Sequence, residues 1–297
     1  MATIPGIWRW MRVPRLIWQF TESNVPTFVL PNSSFGILAA LAAPRLTDRP
    51  DALSVAELLL QALPRVMLFN WANVFVFDLA NQRLPEARRE DETNKPWRPL
   101  PSKLISAEEM RRWMLVAIPA AVAISAVLGV GHQSALILLT TWAYNDLRGG
   151  DEIIRDVIIA LGYWLYLSSS LLIAVGPGHH LSEHGYRWLG MMSGIILTTM
   201  QVQDLKDQPG DRTRGRRTVP LVLGETFSRW WIAGCVLVWS IACPLVWRCR
   251  LAGYVLPMGG GLWVGFHVLQ GTNDAAAWRW WCLWQGLVYL TPWMAGR

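Results

Sequence analysis

Directly after an apolar run that ends near Met200, the chain reads Asp204-Leu205-Lys206-Asp207-Gln208-Pro209-Gly210-Asp211-Arg212. The three aspartates stand at offsets of 0, 3 and 7 residues, a spacing that keeps side chains on one face of a helix. Pro209 and Gly210 should end that helix, so we expect Asp211 on the loop beyond it. Unpaired carboxylates at a membrane boundary are costly, and a divalent cation would compensate them.

The overall composition is that of a protein that crosses a membrane several times. Apolar residues make up 53% of the 297 residues and charged residues only 16%, whereas a soluble protein carries about 25% charge. The four cysteines have no metal-ligand spacing, so we interpret them as packing residues. The net charge of +6 indicates basic cytosolic loops rather than nucleic-acid binding. No obligate protein partner is evident.

The apolar pattern predicts an all-α fold, a polytopic membrane bundle of about nine transmembrane helices around a central cavity. In this prediction residues 1–297 form a single membrane domain, and residues 1–22, rich in Trp and Arg, form an interfacial segment. Two motif-bearing loops, 82–107 and 206–225, connect the helices. The predicted spans are 23–43, 53–81, 108–130, 132–147, 153–175, 185–205, 226–246, 252–270 and 276–295.

The distribution of basic residues predicts the orientation. The loops after the second, fourth, sixth and eighth spans collect most of the Lys and Arg residues, and such loops face the cytosol. Both motif-bearing loops then lie on the cytosolic side of the same bundle.

A second group of polar residues lies in the predicted span 53–81. Asn70, Asn73, Asp78 and Asn81 form a polar stripe on an apolar helix, and such oxygen ligands suit Mg²⁺ rather than zinc. Nearby Arg and Lys suit phosphate oxygens. Two such clusters on one face are able to hold a diphosphate, with an apolar pocket for an isoprenyl tail. The alternative is a set of solvated loop charges, which we disfavour because Asn73 and Asp78 fall within an apolar span.

Several motifs resemble those of the UbiA superfamily of intramembrane prenyl-transferring enzymes. Asp204-x-x-Asp207-x-x-x-Asp211 is similar to the second aspartate-rich motif of that family, and Asp91-x-x-Asn94-Lys95-Pro96-Trp97-Arg98-Pro99 is similar to the segment after its first motif. Tyr144-Asn145-Asp146 and Arg155-Asp156 resemble its central loop. The resemblance covers about residues 20–295 and implies nine helices, Mg²⁺ as cofactor and an isoprenyl diphosphate as substrate.

The first motif departs from the family pattern Asn-Asp-x-x-Asp-x-x-x-Asp. Aligned on Asn73, the chain has apolar residues where two aspartates belong; aligned backward from Asn94, Asp91 becomes the last aspartate. Both alignments remain open from the sequence. With fewer carboxylates in the first motif, Mg²⁺ should depend mainly on the second.

The resemblance implies roles for individual residues. The predicted catalytic residues are Asp78, Asp204, Asp207 and Tyr144. The predicted metal ligands are Asp204, Asp207, Asp211 and Asp78. The predicted substrate contacts are Asn73, Asn81, Asp91, Arg98, Asn145, Arg155, Lys206 and Arg212. Each of these Arg and Lys residues has an alternative role in setting membrane topology.

The predicted reaction begins with ionisation of an allylic diphosphate, in which Mg²⁺ and basic groups stabilise the leaving pyrophosphate. The cation then cyclises, or it is transferred to an acceptor. Aromatic faces stabilise cations, and the chain has 19 Trp residues; its altered first motif also resembles fungal terpene cyclases. We therefore predict a terpene cyclase acting on farnesyl diphosphate, with a membrane prenyltransferase and a binding or transport protein as alternatives. The resemblance implies the endoplasmic reticulum as its location.

Overall fold

A computed structural model describes residues 6–295, with side chains from Val13 onward. Residues 1–5 of the predicted interfacial segment and residues 296–297 of the predicted domain lie outside this range. Within it the structure has helices and no strand. The helices are α1 Gly6–Thr21, α2 Leu30–Ala40, α3 Ala43–Leu46, α4 Val55–Glu57, α5 Leu63–Gln82, α6 Pro85–Asn94, α7 Ala107–Val127, α8 Gly131–Asn145, α9 Arg155–Val175, α10 Glu183–Thr199, α11 Val202–Arg214, α12 Val219–Leu223, α13 Glu225–Val246, α14 Leu251–Gln270, α15 Asp274–Tyr289 and α16 Thr291–Met294.

The long helices follow the predicted spans. Short π-helical segments, Val25–Val29 and Leu58–Ala62, lead into α2 and α5, so nine helical rods lie near the nine predicted positions in the described part of the chain. Of these, α7, α9 and α13 are long and apolar enough to cross a membrane. The prediction of an all-α fold is confirmed, whereas nine membrane crossings stay a prediction.

Local sequence signals set where several helices begin and end. The Ser106 side chain accepts a hydrogen bond from the backbone N of Glu109 at 3.1 Å, and the Glu109 carboxylate accepts one from the backbone N of Ser106 at 2.9 Å. This capping box starts α7. At the carboxyl end of α9, Gly176 adopts φ +99°. This conformation favours glycine, so Gly176 ends the helix.

Both predicted loops contain helices, and the second is mostly helical. The first of them, 82–107, contains α6, and the second, 206–225, contains most of α11 and all of α12. Because α11 continues to Arg214, the expectation that Asp211 hangs from a loop is wrong. All three aspartates of the motif lie on one helix, which packs against α6.

A local substitution of hydrogen bonds explains how α11 passes its proline. Pro209 has no backbone N–H to donate to the carbonyl oxygen of Leu205, and the Nε2 of Gln208 donates to that oxygen instead, at 3.2 Å. Gly210 has a different function, because a Cβ there would lie 2.1 Å from the Nδ2 of Asn94. The glycine therefore lets the end of α6 approach α11 closely.

Buried amides join the helices in the interior. The Nδ2 of Asn70 donates to the Oγ of Ser170 on α9 at 3.0 Å. The Nδ2 of Asn73 donates to Ser125 on α7 at 3.2 Å, and its Oδ1 accepts from Ser134 on α8 at 2.8 Å. Such bonds hold helices together where water is excluded. Asn73, a predicted substrate contact, therefore connects three helices.

Candidate active site

A cavity lies among α5, α6, α8, α9 and α11, and its lining is charged in one part and aromatic in another. We call the charged part the polar mouth; its charged residues are Asp78, Glu90, Lys95, Arg98, Asp207 and Arg216. The aromatic residues of the lining are Phe28, Phe77, Tyr144, Tyr163 and Tyr166. Most of the charged residues come from α6, α11 and the segments that follow these two helices, whereas the aromatic residues come from the longer helices and the segment before α2.

Asp78 is carried into the cavity by α5. The side chain is 1% exposed, and its Oδ1 accepts a hydrogen bond from the Nδ2 of Asn24 at 2.6 Å. Its Oδ2 is buried and has no hydrogen-bond partner among the described residues. An unpartnered buried carboxylate oxygen is costly, and a bound cation would satisfy it.

Asp207 supplies a second carboxylate from α11. Its Oδ2 accepts from the Nζ of Lys206 at 2.6 Å. Burial raises the pKa of Asp207, but the positive charges of Lys206 and Lys95 outweigh it and hold that pKa below its usual value. The carboxylate is therefore ionised at neutral pH, as a metal ligand must be.

Three basic side chains line the polar mouth. Burial lowers the pKa of Lys95 to about 8. The Nη1 of Arg98 donates to both carboxylate oxygens of Asp91, at 2.9 and 3.0 Å, while its Nε is buried without a partner among the described residues. Together with Arg216 these groups form a cationic surface of the kind that binds phosphate oxygens.

Glu90 holds Arg216 at the polar mouth, and sequence reasoning missed both residues. The Nη1 of Arg216 donates to Glu90 at 3.2 Å and to Asp211 at 3.1 Å. Glu90 also accepts from Arg214 at 3.1 Å. Adjacent residues of a helix point in different directions, so Asp91 faces Arg98 while its neighbour Glu90 faces the end of α11.

Asp204 and Arg155, predicted to face the ligand, face each other instead. Both are buried, and the Nη2 of Arg155 donates to Asp204. The Nε of Arg155 lies 3.4 Å from Asp156, whose other oxygen accepts from Gln201 at 2.6 Å. We call these four residues the paired layer. None of them lines the cavity, so the metal and diphosphate roles of Asp204 and Arg155 stay predictions that this placement does not favour.

Other predicted residues also lie behind the cavity wall. Asp211 is fully buried, and burial raises its pKa although Arg216 opposes this shift. Its Oδ2 has no partner among the described residues. Asn145 is also buried and accepts from Asn81 at 2.9 Å, whereas Arg212 is exposed on α11 and lies 3.4 Å from Gln208. The predicted residues that line the cavity itself are Asp78, Asn81, Arg98, Tyr144 and Asp207.

Tyr144 is fixed at the cavity by the turn that follows α8. A Cβ on Gly150 would lie 2.5 Å from the Cε1 of Tyr144, so the glycine lets the turn close over the ring. The ring also packs against Phe77, with ring centroids 5.4 Å apart. Asp151 anchors the turn, because it accepts from Arg214 at 2.6 Å.

The aromatic part of the cavity is built from Phe and Tyr. The ring of Phe28 stands edge-on to those of Tyr163 and Tyr166, with centroids 4.8 Å apart in both cases. No tryptophan whose side chain is described lines the cavity. Trp281 and Trp284, for example, are buried elsewhere and donate to Thr199 and Ser240 respectively. The abundance of Trp therefore carries no information about the reaction.

The carboxylates of the polar mouth fit Mg²⁺ that binds together with a diphosphate. Among residues 13–295 no three His, Cys, Asp or Glu side chains form a ready-made metal site. Mg²⁺, however, commonly takes one or two protein carboxylates and completes its shell with water and substrate phosphates. The free oxygen of Asp78 and the ionised Asp207 are ligands of this kind.

Comparisons with known proteins agree with this geometry. The sequence model of the UbiA prenyltransferase family matches residues 34–287. The chain is 28% identical to fumagillin beta-trans-bergamotene synthase from Aspergillus fumigatus, over 79% of this chain and 75% of that protein. It is 30% identical to somaliensene A/B synthase from Streptomyces somaliensis, over 75% of this chain and 69% of that protein.

A solved structure has the same fold. It is described as a UbiA homolog from Archaeoglobus fulgidus bound to GPP and Mg²⁺, and it superposes with a TM-score of 0.64 at 14% sequence identity. The superposition covers 93% of this chain and 99% of that one. At this level of identity the similarity establishes the arrangement of the helices.

Proposed function

Because the chain belongs to the UbiA prenyltransferase family, we propose that it is a Mg²⁺-dependent terpene cyclase acting on an isoprenyl diphosphate. Members of this family are integral membrane proteins, and the relatives of this chain are enzymes, both terpene cyclases and prenyltransferases. One observation carries the proposal: the cavity joins the polar mouth, with three carboxylates and three basic groups, to an aromatic part. We call this part the aromatic wall; it consists of Phe28, Phe77, Tyr144, Tyr163 and Tyr166.

The diphosphate would lie at the polar mouth. Lys95, Arg98 and Arg216 would donate to its oxygens, and Glu90 would keep Arg216 in place. Asp78 and Asp207 would hold Mg²⁺, which neutralises charge on the leaving group when it is bound. The sequence motif adds Asp204 and Asp211 as ligands, but their burial behind the wall favours supporting roles.

The hydrocarbon chain would lie along the aromatic wall. When the C–O bond of the diphosphate breaks, both electrons leave with pyrophosphate and an allylic cation remains. Phe28, Tyr163 and Tyr166 line this part of the cavity and would lie beside that cation. Aromatic faces stabilise positive charge. One of its own double bonds then attacks the cation and closes a ring, and loss of a proton to pyrophosphate yields a cyclic hydrocarbon.

Transfer of the prenyl group to an aromatic or other small acceptor is the second candidate function. It shares the ionisation step, and the family that matches this chain is named for it. The names of the two relatives described above favour cyclisation, as does a wall of aromatic side chains around the site where the cation forms.

We also propose that the chain forms one membrane domain with the polar mouth on the cytosolic side. The concentration of Lys and Arg in the segments around α6 and α11 supports this orientation. In a eukaryotic cell the endoplasmic reticulum would be the corresponding membrane, where the mouth meets isoprenyl diphosphates made in the cytosol.

The test is to incubate membranes containing the protein with Mg²⁺ and farnesyl diphosphate, without an acceptor, and to analyse a hexane extract by gas chromatography and mass spectrometry. We expect a cyclic hydrocarbon whose yield falls about 100-fold in Asp207→Asn and is unchanged in Glu108→Gln. Glu108 is a suitable control because it is exposed on α7 and pairs with Arg111. A product that forms only when an aromatic acceptor is added would show the prenyltransferase instead.

A further inference from the structure

Among the residues that the structure describes, Gly162 is the one glycine in the lining of the cavity. It lies within α9, and a Cβ built on it would meet no atom of the other described parts of the chain within 4 Å. The backbone there is ordinary helix, so glycine is not required by the conformation. Glycine destabilises a helix by about 1 kcal/mol relative to alanine. The presence of glycine at position 162, beside open space, therefore needs an explanation other than backbone conformation.

The neighbours of Gly162 show where along the cavity this space lies. Ile158 is one helical turn away on the side of Arg155, and Tyr166 is one turn away in the opposite direction. Both line the cavity. The opening therefore borders the cavity between Ile158 and Tyr166, next to its aromatic residues.

The rings beyond Gly162 limit the depth of the cavity. Tyr163 and Tyr166 are 1% and 5% exposed, and Phe28 packs edge-on against both. Behind Tyr166 lies the ring of Phe69, with centroids 6.1 Å apart. A hydrocarbon chain that reaches this aromatic cluster cannot extend further without moving several buried rings, so additional length has to bend into the space at Gly162.

Given the proposed function, we propose that Gly162 is a specificity-determining residue. The empty volume beside it admits the bend of a long isoprenyl chain, and the size of the side chain at 162 sets the longest prenyl diphosphate that reacts. Larger side chains at this position would exclude longer chains first, and would shift products toward those of shorter substrates.

The experiment compares Gly162→Ala, Gly162→Val and Gly162→Leu with the same three changes at Gly234. Gly234 is a matched control, because it lies in the spanning helix α13, its Cβ would also meet nothing within 4 Å, and it does not line the cavity. The readout is the ratio of kcat/KM for the longest prenyl diphosphate that the wild type turns over to that for the shortest, chosen from the geranyl, farnesyl and geranylgeranyl diphosphates and measured as pyrophosphate release with Mg²⁺ present.

We expect this ratio to fall stepwise with side-chain size at 162, by about tenfold or more for Leu, which is a usual discrimination for bulk in an apolar pocket. The ratio should stay constant across the Gly234 series. An unchanged ratio at 162, or an equal change in both series, would overturn the proposal. Gly162→Ala, a small change, keeps the test valid if Gly162→Leu fails to fold. A wild-type protein inactive on every prenyl diphosphate would instead refute the proposed function, and this inference with it.

Discussion

The polar mouth and the paired layer both contain aspartate and arginine side chains, but these side chains have different surroundings in the two regions. Asp207 and Asp204 are three positions apart on α11, but Asp207 lines the cavity beside Lys95, whereas Asp204 is buried against Arg155. In the mouth, a carboxylate oxygen of Asp78 has no partner within residues 13–295. In the paired layer, by contrast, the side chains contact one another: Arg155, Asp204, Asp156 and Gln201.

This difference shows that membership of a sequence motif does not determine the role of each residue in it. Spacing puts Asp204 and Asp207 on the same side of a helix, but the neighbours of each decide what it can bind. A carboxylate already paired in the interior stabilises the fold, while one with a free oxygen at the cavity is ready for a ligand. Substitution of Asp204 should therefore lower mainly stability, and substitution of Asp207 should lower mainly turnover.

The largest expected effect is the loss of stability in Asp204→Asn. It leaves the buried Arg155 without its main partner, and breaking a buried pair costs 3–5 kcal/mol; we expect about 3 kcal/mol, since Asp156 still faces Arg155. Thermal melting in detergent measures it. The double variant Asp204→Asn with Arg155→Gln should recover part of the loss. If Asp204→Asn melted at the wild-type temperature but had no turnover, Asp204 would be a Mg²⁺ ligand and the structural role would be wrong.

Asp207→Asn should lower turnover about 100-fold, as expected when one group that stabilises developing charge is removed, while melting stays near that of wild type. Its partner Lys206 is able to turn to water, because it is partly exposed. The rate of pyrophosphate release from farnesyl diphosphate measures this effect, with Glu108→Gln as the control for removing a negative charge. Turnover equal to that of the control would remove Asp207 from the site.

Gln208→Ala tests how the helix that carries both aspartates is held together. It leaves the Leu205 carbonyl oxygen without the donor that replaces the missing N–H of Pro209, which should cost about 1 kcal/mol. In a Pro209→Ala background, where a backbone N–H is restored, the same change should cost less. An equal loss of stability in the two backgrounds would mean that Gln208 acts through another contact, such as Glu225.

Glu183→Gln should have the smallest effect. Glu183 and Arg187 form an ion pair one helical turn apart on α10, with both side chains mostly exposed. Exposed pairs contribute little to stability, so neither melting nor turnover should change. A marked loss of stability here would undermine the distinction between buried and exposed pairs on which the first prediction depends.

The helical fold was largely predictable because it depends on local composition. Apolar runs of about twenty residues specify membrane helices wherever they occur. Asp78 was predictable as a site residue because it belongs to a polar stripe on one of these helices. The continuation of α11 past Pro209 was not predictable, since it depends on how the Gln208 side chain is oriented.

The polar mouth was only partly predictable because it depends on contacts between distant segments. Asp207 and Arg98 stand in recognisable motifs, whereas Arg216 is held at the mouth by Glu90, which lies more than 100 residues earlier in the chain. A signal for Lys95 was present, since it lies within the same Asn-Lys-Pro-Trp-Arg-Pro run as Arg98.

The most direct test of the central claim is to measure pyrophosphate and hydrocarbon together, using purified protein with Mg²⁺ and farnesyl diphosphate and no acceptor. If the polar mouth ionises the diphosphate and the aromatic wall guides cyclisation, both should appear in equal amounts, and both should be lost when Mg²⁺ is chelated. Release of neither without an acceptor, or release that persists with the chelator, would contradict that claim.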